Sequence, residues 1–259
     1  MSLPNPFIRS ILERIDSPDI VGVGLVGSYA RGQEGKYSDL DVDIYVSKLP
    51  ENPYDRYTLR YWDGKLVSLK YALVDDELDA LNDPRRAIWV VPGLQGMKII
   101  LDRDGLVAEL QKMAQKFDFS LLQSEADEFA AEEIMSCAEE VHKILNGLAR
   151  SHESTVLFAT WGLVKCLLEA VAVQRGIMIV SENRYFELIQ SSVGRDTKWV
   201  SAFRTAWGLD PVSSQYQSRG AAALKLYRLT AVMFDGLIPE KHRDVVKQTL
   251  KLIKDAGYE

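Results

Sequence analysis

The sequence predicts an α+β chain in two parts: a small mixed-sheet domain over residues 1–118, then an all-helical bundle over 119–259. Three observations carry that reading. Short alternating or β-branched runs, two of them flanking an Asp-Gly hairpin signal, lie in the first part, long 3.6-residue apolar periodicities fill the second, and no fixed-period repeat joins them. With 259 residues and 47% hydrophobic composition, the chain can bury cores of this size without staples.

Residues 6–16 read as an amphipathic helix. Ile20-Val21-Gly22-Val23-Gly24-Leu25-Val26 is apolar, β-branched and too short for a helix, so it reads as a buried strand whose glycines allow close packing. Asp41 to Val46 gives the next strand, and Pro50 and Pro53 mark the connection after it. Tyr57–Trp62 and Leu66–Leu73 alternate on either side of Asp63-Gly64, a strong hairpin signal. Met97–Leu101 is the last strand, and a helix runs from Leu106 to Lys116. Beyond Phe119 the expected helices cover 125–148, 154–175, 183–193, 197–207, 214–235 and 239–256, broken at Gly147, Gly176, Gly208 and Pro239. Trp161, Trp199 and Trp207 are expected to fill the helical core.

Lys and Arg number 31 against 37 Asp and Glu, a formal charge of −6, and no basic block carries interleaved aromatics. A nucleic-acid surface is therefore disfavoured, and a small, cationic partner fits better. The stretch Met1–Pro6 lacks a basic region followed by an apolar one, and no run approaches about 18 uninterrupted apolar residues, so a cytoplasmic chain without a membrane span is expected. Cys137 and Cys166 sit in helical apolar spacing, outside any Cys-x-x-Cys pair, and read as buried inert thiols. His142, His152 and His242 are too scattered for a zinc site, so any metal would be a hard one held by oxygen. The apolar helical half leaves room for a homodimer.

Chemistry concentrates in Gly27-Ser28-Tyr29-Ala30-Arg31-Gly32 and in Ser38-Asp39-Leu40-Asp41-Val42-Asp43. A glycine turn at a strand end offers backbone amides and a hydroxyl to phosphate. Taken alone, it reads equally as a strand–turn–helix corner with Ser28 as the helix cap. Asp39 and Asp41 lie two apart on a strand, share a face at roughly 6.5 Å spacing and can converge on one divalent cation. The competing reading is a solvated edge strand, or ion pairs with Arg31 or Lys36. Burying two such carboxylates unpaired would be costly.

Gly27-Ser28, a short helix, then Asp39-Leu40-Asp41 before an apolar strand, resembles the signature of the polymerase-β-type nucleotidyltransferase superfamily. The layout of a small α/β domain before a helical one is similar to the aminoglycoside and lincosamide nucleotidyltransferases. The resemblance implies transfer of a nucleoside monophosphate from a nucleoside triphosphate, ATP by default, to a hydroxyl of a small antibiotic-like acceptor. Asp39 and Asp41 would hold Mg2+, while Gly27, Ser28 and Arg31 would hold the triphosphate.

The resemblance also implies a third carboxylate on the strand Leu66–Leu73. By alternation the matching position is Ser68, which carries no charge. Asp43, on the same face as Asp39 and Asp41, could supply it or pair with a cation. Lys70 could pair with Asp43 or contact phosphate. A general base is implied on the first helix of the helical domain, among Glu132, Glu133, Glu139 and Glu140, with Glu140 the candidate; a solvated acidic face is the alternative. The missing acid also leaves open a nucleotide-binding or protein-interaction module that has lost turnover, or nucleotide transfer to a protein hydroxyl as in antitoxin-like enzymes.

Overall fold

The computed structural model describes residues 6–258, so the stretch Met1–Asn5, read above for an export signal, lies outside the described residues. Two compact units divide the chain between Asp118 and Phe119. The first runs α1 (Pro6–Ile15), β1 (Ile20–Val26), α2 (Gly27–Arg31), β2 (Leu40–Val46), β3 (Tyr57–Trp62), β4 (Lys65–Ala72), α3 (Val74–Ala80), α4 (Pro84–Gly96), β5 (Lys98–Asp102) and α5 (Leu106–Gln115).

Its five strands form one mixed sheet in the order β3-β4-β2-β1-β5. β2 and β4 are parallel, and the other pairs are antiparallel. Asp63 and Gly64 both adopt positive φ (49° and 77°), the conformation a two-residue hairpin needs to match strand twist, and β3 and β4 pair in the expected register. Alternation on β2 then sorts the side chains. Leu40, Val42, Ile44 and Val46 join Val23, Leu25, Val67 and Leu69 in a core closed by Ile11 and Ile15 of α1, while Asp41, Asp43 and Tyr45 point the other way. On that second face the glycines of β1 admit close neighbours, Val107 of α5 over Gly22 and Met97 over Gly24.

Two helices of this unit, α3 and α4, were not expected. Val74–Ala80 reads VDDELDA, with too few apolar residues to show a period. In α4 the interior Pro92 and Gly93 interrupt the pattern, although Asp83 caps its start by accepting from the Arg85 amide at 2.9 Å.

The second unit is helical: α6 (Gln123–Ser136), α7 (Ala138–Ala149), α8 (Glu153–Gln174), α9 (Tyr185–Val193), α10 (Lys198–Trp207), α11 (Tyr216–Met233) and α12 (Glu240–Asp255). α8 is its axis, packed by α6, α7, α10 and α11. By length and composition α8 could cross a bilayer, but Val156, Leu163, Val164, Leu167, Leu168 and Val171 are buried within the bundle.

The single helix expected over 125–148 is two, divided at Cys137. That residue keeps helical angles (φ −61°, ψ −14°), and helical bonds run through it, from the Cys137 amide to the Glu133 carbonyl at 2.9 Å and from the Val141 amide to the Cys137 carbonyl at 3.2 Å. Gly147 does not break a helix either: it lies inside α7, where Val156 of α8 packs against its missing side chain. Trp199 is buried and its Nε1 donates to Thr230 Oγ1 at 2.8 Å, as a core tryptophan requires. Trp161, by contrast, is 49% exposed and lies beside Phe158 on the outer side of α8.

Candidate functional site

The site assembles at one end of the sheet because β1 delivers its C-terminus there and β2, running antiparallel to it, delivers its N-terminus. Val26 pairs with Asp41 across the two strands. Gly27 then takes φ +66°, a left-handed turn open to glycine at little cost, and the chain enters α2. α2 is a single turn of five residues, closed by Gly32 in the left-handed region. Its contribution toward an anion is therefore a few unpaired first-turn amides, not a helix macrodipole. Ser28 is not the helix cap; Val26 holds that position without a side-chain bond.

Gly27 is required for a second reason. A β-carbon there would meet Asp41 Oδ2 at 2.0 Å, so the carboxylate occupies the space that the missing side chain leaves. Asp39 is half-buried just before β2, where the loop ahead of it is tied by Ser38 Oγ accepting from the Gly35 amide at 2.9 Å. The structure thus brings Gly27 and Asp41 together and places Asp39 just ahead of the strand on which the spacing had put it. Arg31 stays exposed, its Nε donating to Gln33 at 3.3 Å. A cation that the sequence did not flag, Lys65, donates to the Tyr29 hydroxyl of α2 at 2.8 Å.

Ser68, which the resemblance puts at the third-acid position, pairs with Asp41 in the parallel register. It is 6% exposed, and its hydroxyl bonds the Tyr57 hydroxyl at 3.4 Å. Tyr57, Leu59 and Tyr61, exposed on the edge strand β3, continue this face past Ser68 by their pairing with Lys70, Ser68 and Leu66.

One register step deeper, Asp43 faces Lys70, and Lys70 Nζ donates to Glu77 Oε1 of α3 at 2.6 Å. Burial pushes Asp43 up to about 6, against the pull of the Lys70 ammonium, with Glu77 adding to the rise. Burial alone would lower Lys70, but the Asp43 and Glu77 carboxylates raise it above its ordinary value. Of the two roles left open for Lys70, the structure shows it held by carboxylates. Glu77 could not be foreseen, since its helix was not legible.

Glu140, the candidate base, lies on α7 in the second unit. It is half-buried, paired with Lys143 at 2.8 Å, and its Oε2 is buried without a protein partner.

Asp39 and Asp41 are hard oxygen donors, Asp41 against the Gly27 turn, and that donor chemistry suits Mg2+. A 580 Å³ cavity opens on the opposite face of the sheet, against Arg14, Arg60, Trp62, Leu69 and Tyr71; neither Asp39 nor Asp41 lines it.

Residues 8–95 match the family model described as a nucleotidyltransferase domain, a span that runs from α1 through α4 and stops before β5. No curated protein sequence matches the chain. A crystal structure of a nucleotidyltransferase-like protein from Exiguobacterium sibiricum 255-15 aligns with 89% of this chain and 76% of its own, at 16% identity and TM-score 0.51. At that identity the likeness is one of fold. Domains of this family are mostly enzymes that use a nucleoside triphosphate and a divalent metal. Residues 8–95 match a polymerase-β-like nucleotidyltransferase domain.

Proposed function

We propose that this protein transfers a nucleoside monophosphate from a nucleoside triphosphate to a hydroxyl of a small acceptor and releases pyrophosphate. The observation that carries this is the seating of the Asp41 carboxylate in the space left by Gly27, which puts one of the two candidate metal ligands against the candidate phosphate turn. Asp39 and Asp41 would hold Mg2+. The ion, when bound, supplies charge neutralisation and Lewis acidity at the phosphates.

The chain's own groups do the rest. First-turn amides of α2 and the Ser28 hydroxyl hold the triphosphate, with Arg31 at the same turn. The acceptor oxygen then bonds to the α-phosphorus as the bond to the bridging oxygen breaks. The hydroxyl proton goes to a base, for which Glu140 is the candidate. The formal charge of −6 favours an uncharged or cationic acceptor of the antibiotic type.

The test is calorimetry with Mg2+ and ATP, followed by pyrophosphate release across a panel of hydroxylated acceptors. Binding that disappears in Asp39→Asn/Asp41→Asn, with pyrophosphate formed on at least one acceptor, supports the assignment. Unchanged binding in that double variant would sink it.

Ser68 favours a second reading, a nucleotide-binding module without turnover. That reading expects triphosphate binding with no pyrophosphate on any acceptor, a co-purified protein included.

A further inference from the structure

The seam between α6–α7 and α8 brings together side chains that the sequence spreads over three helices. Glu133, Cys137 and Glu140 follow one another at four- and three-residue steps along α6–α7, so they share a face. Gly162, Cys166 and Glu169 do the same on α8. The two rows run antiparallel. Glu140 packs on Gly162, its carboxyl carbon 3.5 Å from where a β-carbon would be, and Cys137 meets Cys166 one turn along.

Glu133, Cys137 and Cys166 each offer a ligand atom, and these three atoms lie within 4.8 Å of one another. Cys137 is buried; Cys166 and Glu133 are half-buried and reachable from solvent.

Glu140 and Glu169 lie close enough for their charges to act on these thiols. Glu140 has Lys143 at one oxygen, but its other oxygen is buried without a protein partner.

We propose that Glu133, Cys137 and Cys166 form a binding site for a thiophilic divalent cation of the Zn2+ class, separate from the Mg2+ site at Asp39 and Asp41. Two sulfurs and one carboxylate oxygen select against a hard ion. Tetrahedral Zn2+ with bonds of about 2.3 Å to sulfur sets its sulfur ligands about 3.8 Å apart, within the span observed. A disulfide would need the sulfurs at about 2.05 Å. The cation takes the place of the thiol protons, and water completes its coordination.

The test uses the full chain, reduced and stripped of metal, titrated with Co2+ in excess Mg2+ and followed by sulfur-to-cobalt charge-transfer absorption in the near ultraviolet. The expected result is a band that saturates at one equivalent and is bleached by Zn2+. Glu133→Gln should weaken Co2+ binding about tenfold or more, and Cys166→Ser should abolish the band while circular dichroism stays unchanged. The band should persist in Asp39→Asn/Asp41→Asn, which separates this site from the triphosphate site. Absence of the band, its survival in Cys166→Ser, or quantitative disulfide formation by a protein that gives no band with Co2+ would overturn the proposal.

Discussion

A β-carbon on Gly27 would lie 2.0 Å from Asp41 Oδ2, so one residue governs both the turn at the end of β1 and the position of the Asp41 carboxylate, the proposed metal ligand. Gly27→Ala must bear the strain of φ +66°, on the order of 1 kcal/mol, and also displace Asp41. Its melting temperature should fall modestly, and Mg2+-dependent triphosphate binding should fall by a factor of about ten or more, beyond what the stability loss explains. Wild-type affinity in a folded Gly27→Ala variant would refute the coupling.

Ser68 sits in register with Asp41 on the neighbouring strand. Ser68→Asp would set two like charges side by side, which is destabilising until a cation bridges them. The variant should melt below the parent in chelator and regain much of the difference in Mg2+. A melting temperature indifferent to Mg2+ would show that position 68 does not reach the metal.

Asp43 makes the metal-free protein sensitive to pH. Burial raises its carboxyl from an ordinary 3.8 to about 6. Between those values the folded chain keeps a proton that the unfolded chain releases, so stability declines as pH rises through that window and stays lower above it. Asp43→Asn removes the penalty. Relative to the parent, the variant should gain on the order of 2 kcal/mol between about pH 4 and pH 7, read from urea melts without metal. A stability difference that does not vary with pH would contradict this.

Val156 is wedged between two helices that approach through glycine. A β-carbon would come within 2.8 Å of it from Gly147 and within 2.7 Å from Gly220. Alanine favours a helix by about 1 kcal/mol over glycine, yet Gly220→Ala should destabilise by about 1–3 kcal/mol because the packed interior cannot yield. Val156→Ala should recover part of that loss in the double variant, with a coupling of at least about 0.5 kcal/mol. Additive effects would mean the clash is relieved elsewhere.

The sheet was largely legible in the sequence because its signals are local. β1 and β2 show as β-branched runs, and the positive-φ pair Asp63-Gly64 identifies itself by residue type. The Gly27–Asp41 contact joins segments only a short loop apart, so spacing sufficed. Glu77 and the Cys137–Cys166 pair were not legible. α3 is too acidic to show a period, and the meeting of two cysteines on different helices is set by interhelical register, which tertiary packing decides. Trp161 was misplaced for a related reason: a helix apolar almost all round does not reveal which side faces out.

β1 lies between β2, its close neighbour in the chain, and β5, which pairs Gly22 with Asp102. During synthesis the strand that leads into the Gly27 turn can acquire one partner early but must wait for most of the unit to emerge before the other arrives. Such long-range pairing is slow and leaves an apolar strand edge uncovered meanwhile. The ribosome-bound chain therefore exposes β1 until about residue 102 has left the exit tunnel, and truncations ending at α4 should present an aggregation-prone edge even though every residue of the carboxylate pair is already present.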